Sequence, residues 1–442
     1  LVFRNAIYKW EYRSSGKSGN IGEREARSIP YQIQKLFLLL QTSDLGSLET
    51  KDLTASFGWS SNEAYDQHDV QELCRLMFDA LELKWKGTQN EKLIQNLYRG
   101  KLQDFVKCLK CGKESLRSDV FLDLPLAVKP FGAVEAFRSV EEALRAFVTP
   151  ELLDGSNQYF CERCNSKQDA HKGLRVTEFP YLLTIQLKRF DFDYNTMHRI
   201  KLNDRMTFPD VLDLNPFVYS PNAAKLSDEE LLPASTGTGS ETVIAGQPLD
   251  RSYVNKLLKR GEYVYELFSV MVHQGSAAGG HYFAYIKNMD QDRWYCFNDT
   301  RVEPVGFEEI AKSFGGTYGG WSTSNTNAYM LMYRKISKVN SSFIRTADLP
   351  QHITQLKSQW KEQEAERERQ RIYQLNLVNA LKFFEEKSRS SNHSNNPVIF
   401  RHHSRLIRAT SERGLTIYEA YVSRADLAKV HQSGLAYSYS IV

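Results

Sequence analysis

Four of the six cysteines in this 442-residue chain form two pairs with the spacing Cys-x-x-Cys. Cys108 and Cys111 make the first pair, and Cys161 and Cys164 make the second. Such a turn directs two thiolates to one point, and two facing turns complete a tetrahedral sulfur shell for zinc. The 49 residues between the pairs exceed the spacing of a simple zinc finger, so the pairs must meet through tertiary structure. The quartet predicts a closed, structural Zn²⁺ site in preference to unpaired buried thiols or a redox pair.

A second candidate site centres on His281, which lies between the small-residue run 275–280 and Tyr282. Two apolar stretches, one after His281 and one before Asp299, are joined by a short polar loop and predict a β-hairpin. The hairpin brings His281 across from residues 298–300, and either Asn298 or Asp299 is a candidate to face it. A histidine oriented by a carboxamide or carboxylate is the base of a Cys-His-Asn/Asp triad. The alternatives are a surface histidine in a glycine-rich turn and a phosphate-binding loop, which is disfavoured because no helix follows.

A third motif, Gln67–Leu73 (QHDVQEL), begins an amphipathic helix that is predicted over 64–86. Asp69 and Glu72 fall on the polar face of this helix. A structural explanation for these two residues is that acidic side chains near a helix N-terminus are stabilised by the helix dipole. The functional interpretation is a pair of acceptors for an arginine-rich ligand.

The elements that must position these residues indicate an α+β protein. Helices are predicted over 1–10, 29–40 and 64–86, and again over 141–147. Strands are predicted over the short apolar runs bounded by Pro, Gly or polar turns, at 120–128, 181–190, 265–273, 281–287, 293–298 and 328–334. The stretch 217–253 is rich in Pro, Ser, Thr and Gly and predicts a flexible insertion, and 350–386 predicts a polar linker helix.

Composition narrows the class of protein. Hydrophobic residues make up 41% and charged residues 25%, as in ordinary globular proteins. The net charge of +4 is too small to argue for a nucleic-acid partner. The sequence has neither an apolar span of membrane length nor a start that resembles a signal peptide, so no membrane partner is expected. Paired cysteines without a secretion signal indicate a reducing compartment, the cytoplasm with the nucleus as a second location.

Taken together, these motifs resemble the ubiquitin-specific protease family. The matching segments occur in the family's order and extend over about residues 1–340. They are Gln67–Leu73, the cysteine quartet, the strand Phe179–Phe190 (FPYLLTIQLKRF), Gly279–Tyr282 (GGHY) and Trp294–Asp299 (WYCFND).

The resemblance implies a papain-like α+β fold shaped as a right hand, with a zinc ribbon in its fingers. Residues 1–99 correspond to the thumb, 100–190 mostly to the fingers and 191–340 mostly to the palm. Residues 387–442 would begin a ubiquitin-like domain or be disordered. The oligomeric state is not indicated.

The implied activity is thiol-dependent hydrolysis of the isopeptide bond after the C-terminal glycine of ubiquitin, with ubiquitin and ubiquitinated proteins as partners. By position in the family's motifs, His281 is the general base, Asn298 orients it, and Asp299 is a neighbour that assists. The residues expected at the ubiquitin tail are Asp69, which would pair with an arginine of the tail, and Gln67, Gly279, Gly280 and Tyr282.

This sequence differs from the family's pattern at the nucleophile. The family's cysteine box, Asn-x-Gly-x-x-Cys-Tyr, is expected just before Leu1, and none of the six cysteines replaces it. Cys74 lies on the apolar face of its helix, and Cys296 lies in a strand beside the triad residues. The chain as given is therefore expected to be inactive. The rival interpretations are a ubiquitin-binding module without catalysis and a zinc-ribbon scaffold unrelated to ubiquitin.

Overall fold

The computed structural model describes most of the chain in two compact units, Leu1–Thr346 and Ala347–Val442. The described residues are 2–11, 27–43, 46–58, 70–130, 132–194, 196–219, 251–318, 322–323, 325–336, 344–391, 406–409 and 418–421.

The described part of the first unit begins with helices that form the thumb: α1 (Val2–Lys9), α2 (Ile29–Thr42), α3 (Lys51–Ser56), α4 (Val70–Trp85) and α5 (Leu93–Tyr98). Their apolar faces meet in a cluster centred on Ile7, Ile33, Leu81, Trp85 and Ile94. The side-chain amide of Gln34 on α2 donates to the carbonyls of Ile7 (2.8 Å) and Trp10 (2.7 Å). Because carbonyls at the end of a helix lack partners within it, this buried amide anchors the end of α1.

The fingers are an antiparallel sheet with a hairpin at its end. The sheet contains β1 (Gly100–Cys108), β2 (Glu114–Phe121), β4 (Glu151–Leu153) and β7 (Ala170–Glu178), in the order β2-β1-β7-β4. The hairpin pairs β5 (Tyr159–Cys161) with β6 (Ser166–Gln168). The guanidinium of Arg175 stacks between the rings of Phe105 and Tyr219 and donates twice to the carboxylate of Glu114. This stack stabilises a sheet that has little core of its own.

The palm is an eight-stranded sheet in the order β15-β14-β13-β12-β18-β8-β3, with β11 also paired to β12. Its strands are β3 (Leu124–Ala127), β8 (Leu182–Lys188), β11 (Val211–Asp213), β12 (Val264–Ser276), β13 (Gly279–Asn288), β14 (Arg293–Asn298), β15 (Arg301–Val305) and β18 (Thr326–Lys335). Neighbouring strands are antiparallel except β3 and β8. In β8 the alternate residues Leu183, Ile185 and Leu187 are buried in the main core. Leu144 of α6 (Val140–Val148) and Ile310 of α8 (Phe307–Lys312) pack into the same core.

Smaller elements complete the two units: the ribbon of β9 (Phe190–Asp193) and β10 (His198–Lys201), helix α7 (Arg251–Leu258), and the pair β16 (Thr317–Tyr318) and β17 (Ser322–Thr323). The second unit contains the 41-residue helix α9 (Gln351–Ser391) and an antiparallel pair, β19 (Leu406–Ala409) with β20 (Tyr418–Tyr421). Within the described residues, no helix combines the length and the apolar character needed to cross a bilayer.

Three expected boundaries differ from the structure. The expected strand 120–128 is two strands, because the chain bends at Leu122 and Asp123 and β3 joins the palm. The strand β8 lies within the range 100–190, which was expected to be mostly fingers, but it pairs into the palm sheet, where its alternating apolar residues are buried.

The ends of the expected insertion 217–253 belong to the folded unit. Phe217 is buried, and α7 buries Val254 and Leu257. Residues 220–250 of that stretch lie outside the described part of the chain. So does most of the tail 387–442, for which only the end of α9 and the β19–β20 pair are described.

Candidate catalytic and metal sites

His281 lies near the start of β13, on the strand next to the one that ends at Asn298. The hairpin of β13 and β14 pairs Ala284 with Phe297, which carries the end of β14 to the imidazole. The Oδ1 atom of Asn298 lies 2.7 Å from Nε2 of His281. Because an amide oxygen only accepts hydrogen bonds, Nε2 carries the proton. The lone pair of His281 is then on Nδ1, where it can take a proton from a nucleophile.

Asp299, the next residue, is farther from His281 and more exposed than Asn298. Its Oδ2 atom is 3.9 Å from Nε2 of His281, and its side chain is 77% exposed, against 41% for His281. The backbone of Asp299 is left-handed, with φ at +49°, which turns the chain away at the end of β14. The structure thus brings both candidate residues to His281, with Asn298 in direct hydrogen-bond contact.

The glycine-rich turn before His281 is the tip of the β12–β13 hairpin. Gly280 faces Gly275, and His281 faces Gln274 on β12. A Cβ atom at Gly280 would overlap the carbonyl oxygen of Gln274 and lie 2.5 Å from Nε2 of His273. By contrast, a Cβ atom at Gly279 would meet nothing within 4 Å. Gly280 is therefore required for the close approach of the two strands, whereas Gly279 is not.

Three basic residues, His273, Lys201 and Arg189, lie close to this turn, and the sequence motifs did not single them out. His273 is 3% exposed, and its ring contacts Phe190 and Tyr282 at centroid distances of 5.1 and 4.8 Å. Burial and the nearby Lys201 lower the pKa of His273 to about 4, so this ring is neutral. The motif strand 179–190 includes Arg189, but nothing in its pattern predicts that the side chain is fully buried and bonded to backbone carbonyls. The sequence signal that could have identified Arg189 was a basic residue directly next to an apolar strand.

The four cysteines of the two pairs lie together at the tip of the fingers. Their sulfur atoms are all within 4.8 Å of one another. The Sγ distances are 4.0 Å between Cys108 and Cys164 and 3.6 Å between Cys111 and Cys161. Four sulfurs at the usual ~2.3 Å from a tetrahedral Zn²⁺ would be about 3.8 Å apart. Soft thiolate ligands at this separation fit zinc, with no position left open for a substrate.

Local backbone geometry explains how the two pairs meet. The first pair turns through Gly112, with φ at +70°, and the second turns through Asn165, with φ at +48°. The backbone N–H of Leu109 donates to the carbonyl of Asp169 (2.9 Å), which ties the first turn to the strand that follows the second. Burial and the neighbouring thiols raise the pKa of Cys164, whereas a bound cation would lower it, since metals bind thiolates.

The other two cysteines lie elsewhere. Cys296 pairs with Tyr285 inside the β13–β14 hairpin, and burial, then Glu309 and Glu303, raise its pKa. A raised pKa disfavours the thiolate that a nucleophile needs. The described contacts of His281 do not include any of the six cysteines, all of which lie in described parts of the chain.

Cys74 lines a cavity of about 230 Å³ between α4 and the palm strands β8 and β18. At the edge of this cavity the buried carboxylate of Asp123 accepts from Gln71 and from Arg75 (3.0 Å) on α4. Asp123 was not singled out from the sequence; the available signal was an acidic residue inside the apolar run 120–128. The predicted tail-binding residues Gln67 and Asp69 lie outside the described residues, just before the start of α4 at Val70.

Known proteins are similar to this chain over most of its length. The family model for ubiquitin carboxyl-terminal hydrolases matches residues 2–333. Ubiquitin carboxyl-terminal hydrolase 47 from Homo sapiens is 50% identical over 407 residues, covering 85% of this chain and 29% of that protein. The Drosophila melanogaster protein of the same name is 50% identical over 389 residues, covering 80% of this chain and 24% of that protein.

A more distant relative is ubiquitin carboxyl-terminal hydrolase 15 of Saccharomyces cerevisiae, which is 34% identical over 381 residues, covering 82% of this chain and 28% of that protein. The chain thus spans about a quarter of the length of the curated relatives it matches. The family model matches three quarters of the sequence and the three relatives are 34–50% identical to it, so the chain belongs to the ubiquitin carboxyl-terminal hydrolase family.

Proposed function

We propose that this protein is a cysteine-type deubiquitinase that hydrolyses the bond after the C-terminal glycine of ubiquitin. The 2.7 Å contact between His281 and Asn298 is the observation that carries the proposal, because it prepares Nδ1 of the imidazole as a base. The relatives that bear the name ubiquitin carboxyl-terminal hydrolase support the choice of substrate. Ubiquitin and ubiquitinated proteins are the proposed partners, in the cytoplasm and also in the nucleus.

The proposed reaction uses each residue at a stated atom. Nδ1 of His281 takes the proton of a cysteine thiol, and the thiolate attacks the carbonyl carbon of the terminal glycine. The imidazolium then gives this proton to the amine that leaves. Water, which loses a proton to the same Nδ1, next attacks the thioester, releases the carboxylate of ubiquitin and restores the thiol. Asn298 accepts from Nε2–H throughout and keeps the ring oriented, and Asp299 adds a negative charge 3.9 Å from the same nitrogen.

The nucleophile of this mechanism is proposed to be the cysteine of the family's cysteine box, upstream of Leu1. The ubiquitin tail is proposed to lie along Gly279, Gly280 and Tyr282 on one side and Gln67 and Asp69 on the other. The quartet of cysteines is proposed to hold a structural Zn²⁺, supported by its four soft ligands and by sulfur separations near those of a tetrahedral zinc site.

One observation favours a second function, a ubiquitin-binding module without catalysis. The described contacts of His281 include no thiol within these 442 residues. A base cannot replace the nucleophile of covalent catalysis, so the 442-residue chain would bind ubiquitin and not cleave it.

The two functions are separated with a fluorogenic ubiquitin substrate and two forms of the protein: the 442-residue chain, and an extended protein that includes the upstream cysteine box. We expect no turnover from the first and turnover from the second, with ubiquitin binding by both in calorimetry. Turnover by the 442-residue chain that is lost in Cys296→Ser would make Cys296 the nucleophile and contradict the mechanism. Binding by both forms without turnover by either would establish the binding module.

The glycine-rich turn offers a test of how His281 is held in position. Gly280→Ala in the extended protein is expected to lower kcat/KM by roughly 100-fold, because its Cβ atom would push the turn away from His273 and displace the adjacent His281. The matched control is Gly46→Ala, outside the tail channel, where the added methyl meets no atom within 4 Å and a change below about fivefold is expected. Equal losses in both variants would show that the close approach at Gly280 does not position the base.

A further inference from the structure

Lys201 ends the strand β10 and reaches the base of the turn that precedes His281. Its ammonium donates to three backbone carbonyls: those of His273 (2.9 Å), Gly275 (3.1 Å) and Asn325 (2.6 Å). One side chain thus joins β10 to β12 and to the segment just before β18. A lysine ammonium has three N–H donors, so each donor has a carbonyl acceptor here.

These carbonyls flank the residue that faces His281. Gln274 lies between His273 and Gly275, and it is the partner of His281 in the β12–β13 register. Gly275 has φ at +130°, and its N–H donates to the same Asn325 carbonyl that Lys201 binds (3.0 Å). The ammonium therefore holds the strand segment that sets the position of His281.

We propose that Lys201 is the positioning residue of this site: its charged ammonium holds the β12 end of the turn so that His281 stays in contact with Asn298. The role in catalysis rests on the proposed function, whereas the effect on the His281–Asn298 contact does not. The described hydrogen bonds of Lys201 are to backbone carbonyls, so it acts through the backbone.

Within the described residues, the hydrogen-bond partners of the Lys201 ammonium are backbone carbonyls. The titratable groups that act on it within the described residues are Arg189, which precedes β9, and His273 on β12, whose ring is neutral. Arg189 itself donates to the carbonyls of Leu202 and Asp204, beside Lys201 in the chain. Backbone carbonyls therefore bind both cations, and the carboxylate of Asp204 also favours the charged form of Arg189.

Burial, and to a smaller extent Arg189, lower the pKa of Lys201 to about 8 from its ordinary value of 10.5. Above about pH 8 the group becomes a neutral amine with two N–H donors, and its lone pair then faces a carbonyl oxygen. Between these two values the unfolded chain binds more protons than the folded chain, so this group makes folding more favourable as pH rises. A loss of activity in that window caused by Lys201 is thus not a loss of fold.

The kinetic test uses the extended protein with Lys201→Met, Lys201→Arg and a control, Lys51→Met, whose side chain is 72% exposed on α3. For Lys201→Met we expect kcat to fall by roughly 100-fold with little change in KM, because a base displaced by about 1 Å loses about that much. Wild-type kcat should decline above about pH 8 without a fall in melting temperature. Lys201→Arg should retain more activity than Lys201→Met and should not show that decline, since arginine stays charged.

A second measurement does not depend on turnover. In the 442-residue chain, the Nε2–H of His281 should give a hydrogen-bonded proton signal in NMR that disappears in Lys201→Met and in Asn298→Ala and persists in Lys51→Met. If Lys201→Met keeps both this signal and its kcat, the proposal is wrong. If the extended protein cleaves no ubiquitin substrate, the proposed function fails and the NMR result alone decides the role of Lys201. If Lys201→Met does not fold, loss of the wild-type signal above about pH 8 in a folded chain decides it, and persistence of the signal there overturns the proposal.

Discussion

Replacement of His281 by Ala in the extended protein is expected to lower kcat by about 10⁴-fold or more, because it removes the group that is proposed to take the thiol proton. Asn298→Ala should cost less, roughly 10- to 100-fold, since it removes one half-buried hydrogen bond that orients the ring. Asp299→Ala should cost less than about fivefold, because an exposed carboxylate 3.9 Å away contributes little. Steady-state kinetics with fluorogenic ubiquitin measures all three.

The order of these losses is the decisive result. Glu303→Ala is the matched control, since Glu303 is an exposed acid on β15 whose described ion pair is with Arg301. It should leave kcat within about twofold of wild type. If Asp299→Ala is more damaging than Asn298→Ala, the orienting residue is Asp299 and the assignment drawn from the 2.7 Å contact is wrong.

Cys161→Ser is expected to remove the metal from the purified protein and to unfold the fingers. Three thiolates and a hydroxyl bind zinc far more weakly than four thiolates do. In small zinc domains metal binding contributes roughly 10–16 kcal/mol, and the fingers have little apolar core to compensate for its loss. Elemental analysis should show about one zinc per wild-type chain and none in the variant. Thermal melting should show a new transition at lower temperature.

The control for this experiment is Cys296→Ser, which lies in the palm and should leave the zinc content unchanged. Wild-type protein treated with a strong chelator should reproduce the melting of Cys161→Ser, and added Zn²⁺ should reverse it. A purified wild-type protein without metal, or a Cys161→Ser variant that melts like wild type, would contradict the zinc assignment.

Much of the fold follows from local sequence pattern. The apolar spacing at 29–40 predicts a helix, and α2 extends over Ile29–Thr42. Strands predicted at 281–287 and 293–298 lie within β13 and β14. The apolar pattern did not predict every strand boundary. At 120–128, a bend at Leu122 and Asp123 divides one apolar run between two sheets. The periodicity of apolar residues indicates which face of a strand is buried, but it does not indicate which sheet that strand joins.

The candidate site divides in the same way. The residue types that perform the chemistry, a histidine beside Asn298 and Asp299 and two Cys-x-x-Cys turns, are visible in the sequence because each motif is local. The family was predicted from five such motifs, and the match over residues 2–333 confirms it.

Only the tertiary structure decided which acceptor contacts His281, because that depends on the backbone at Asp299 turning left-handed at the end of β14. It also brought together cysteines separated by 49 residues, through the pairing of β1 with β7. It placed Lys201 under the turn, 72 residues from the carbonyl of His273 that it binds. Side-chain types are properties of positions along the chain. Register and long-range contacts arise from packing between distant segments, so the sequence determined the chemistry available to this protein and the tertiary structure determined which atoms meet.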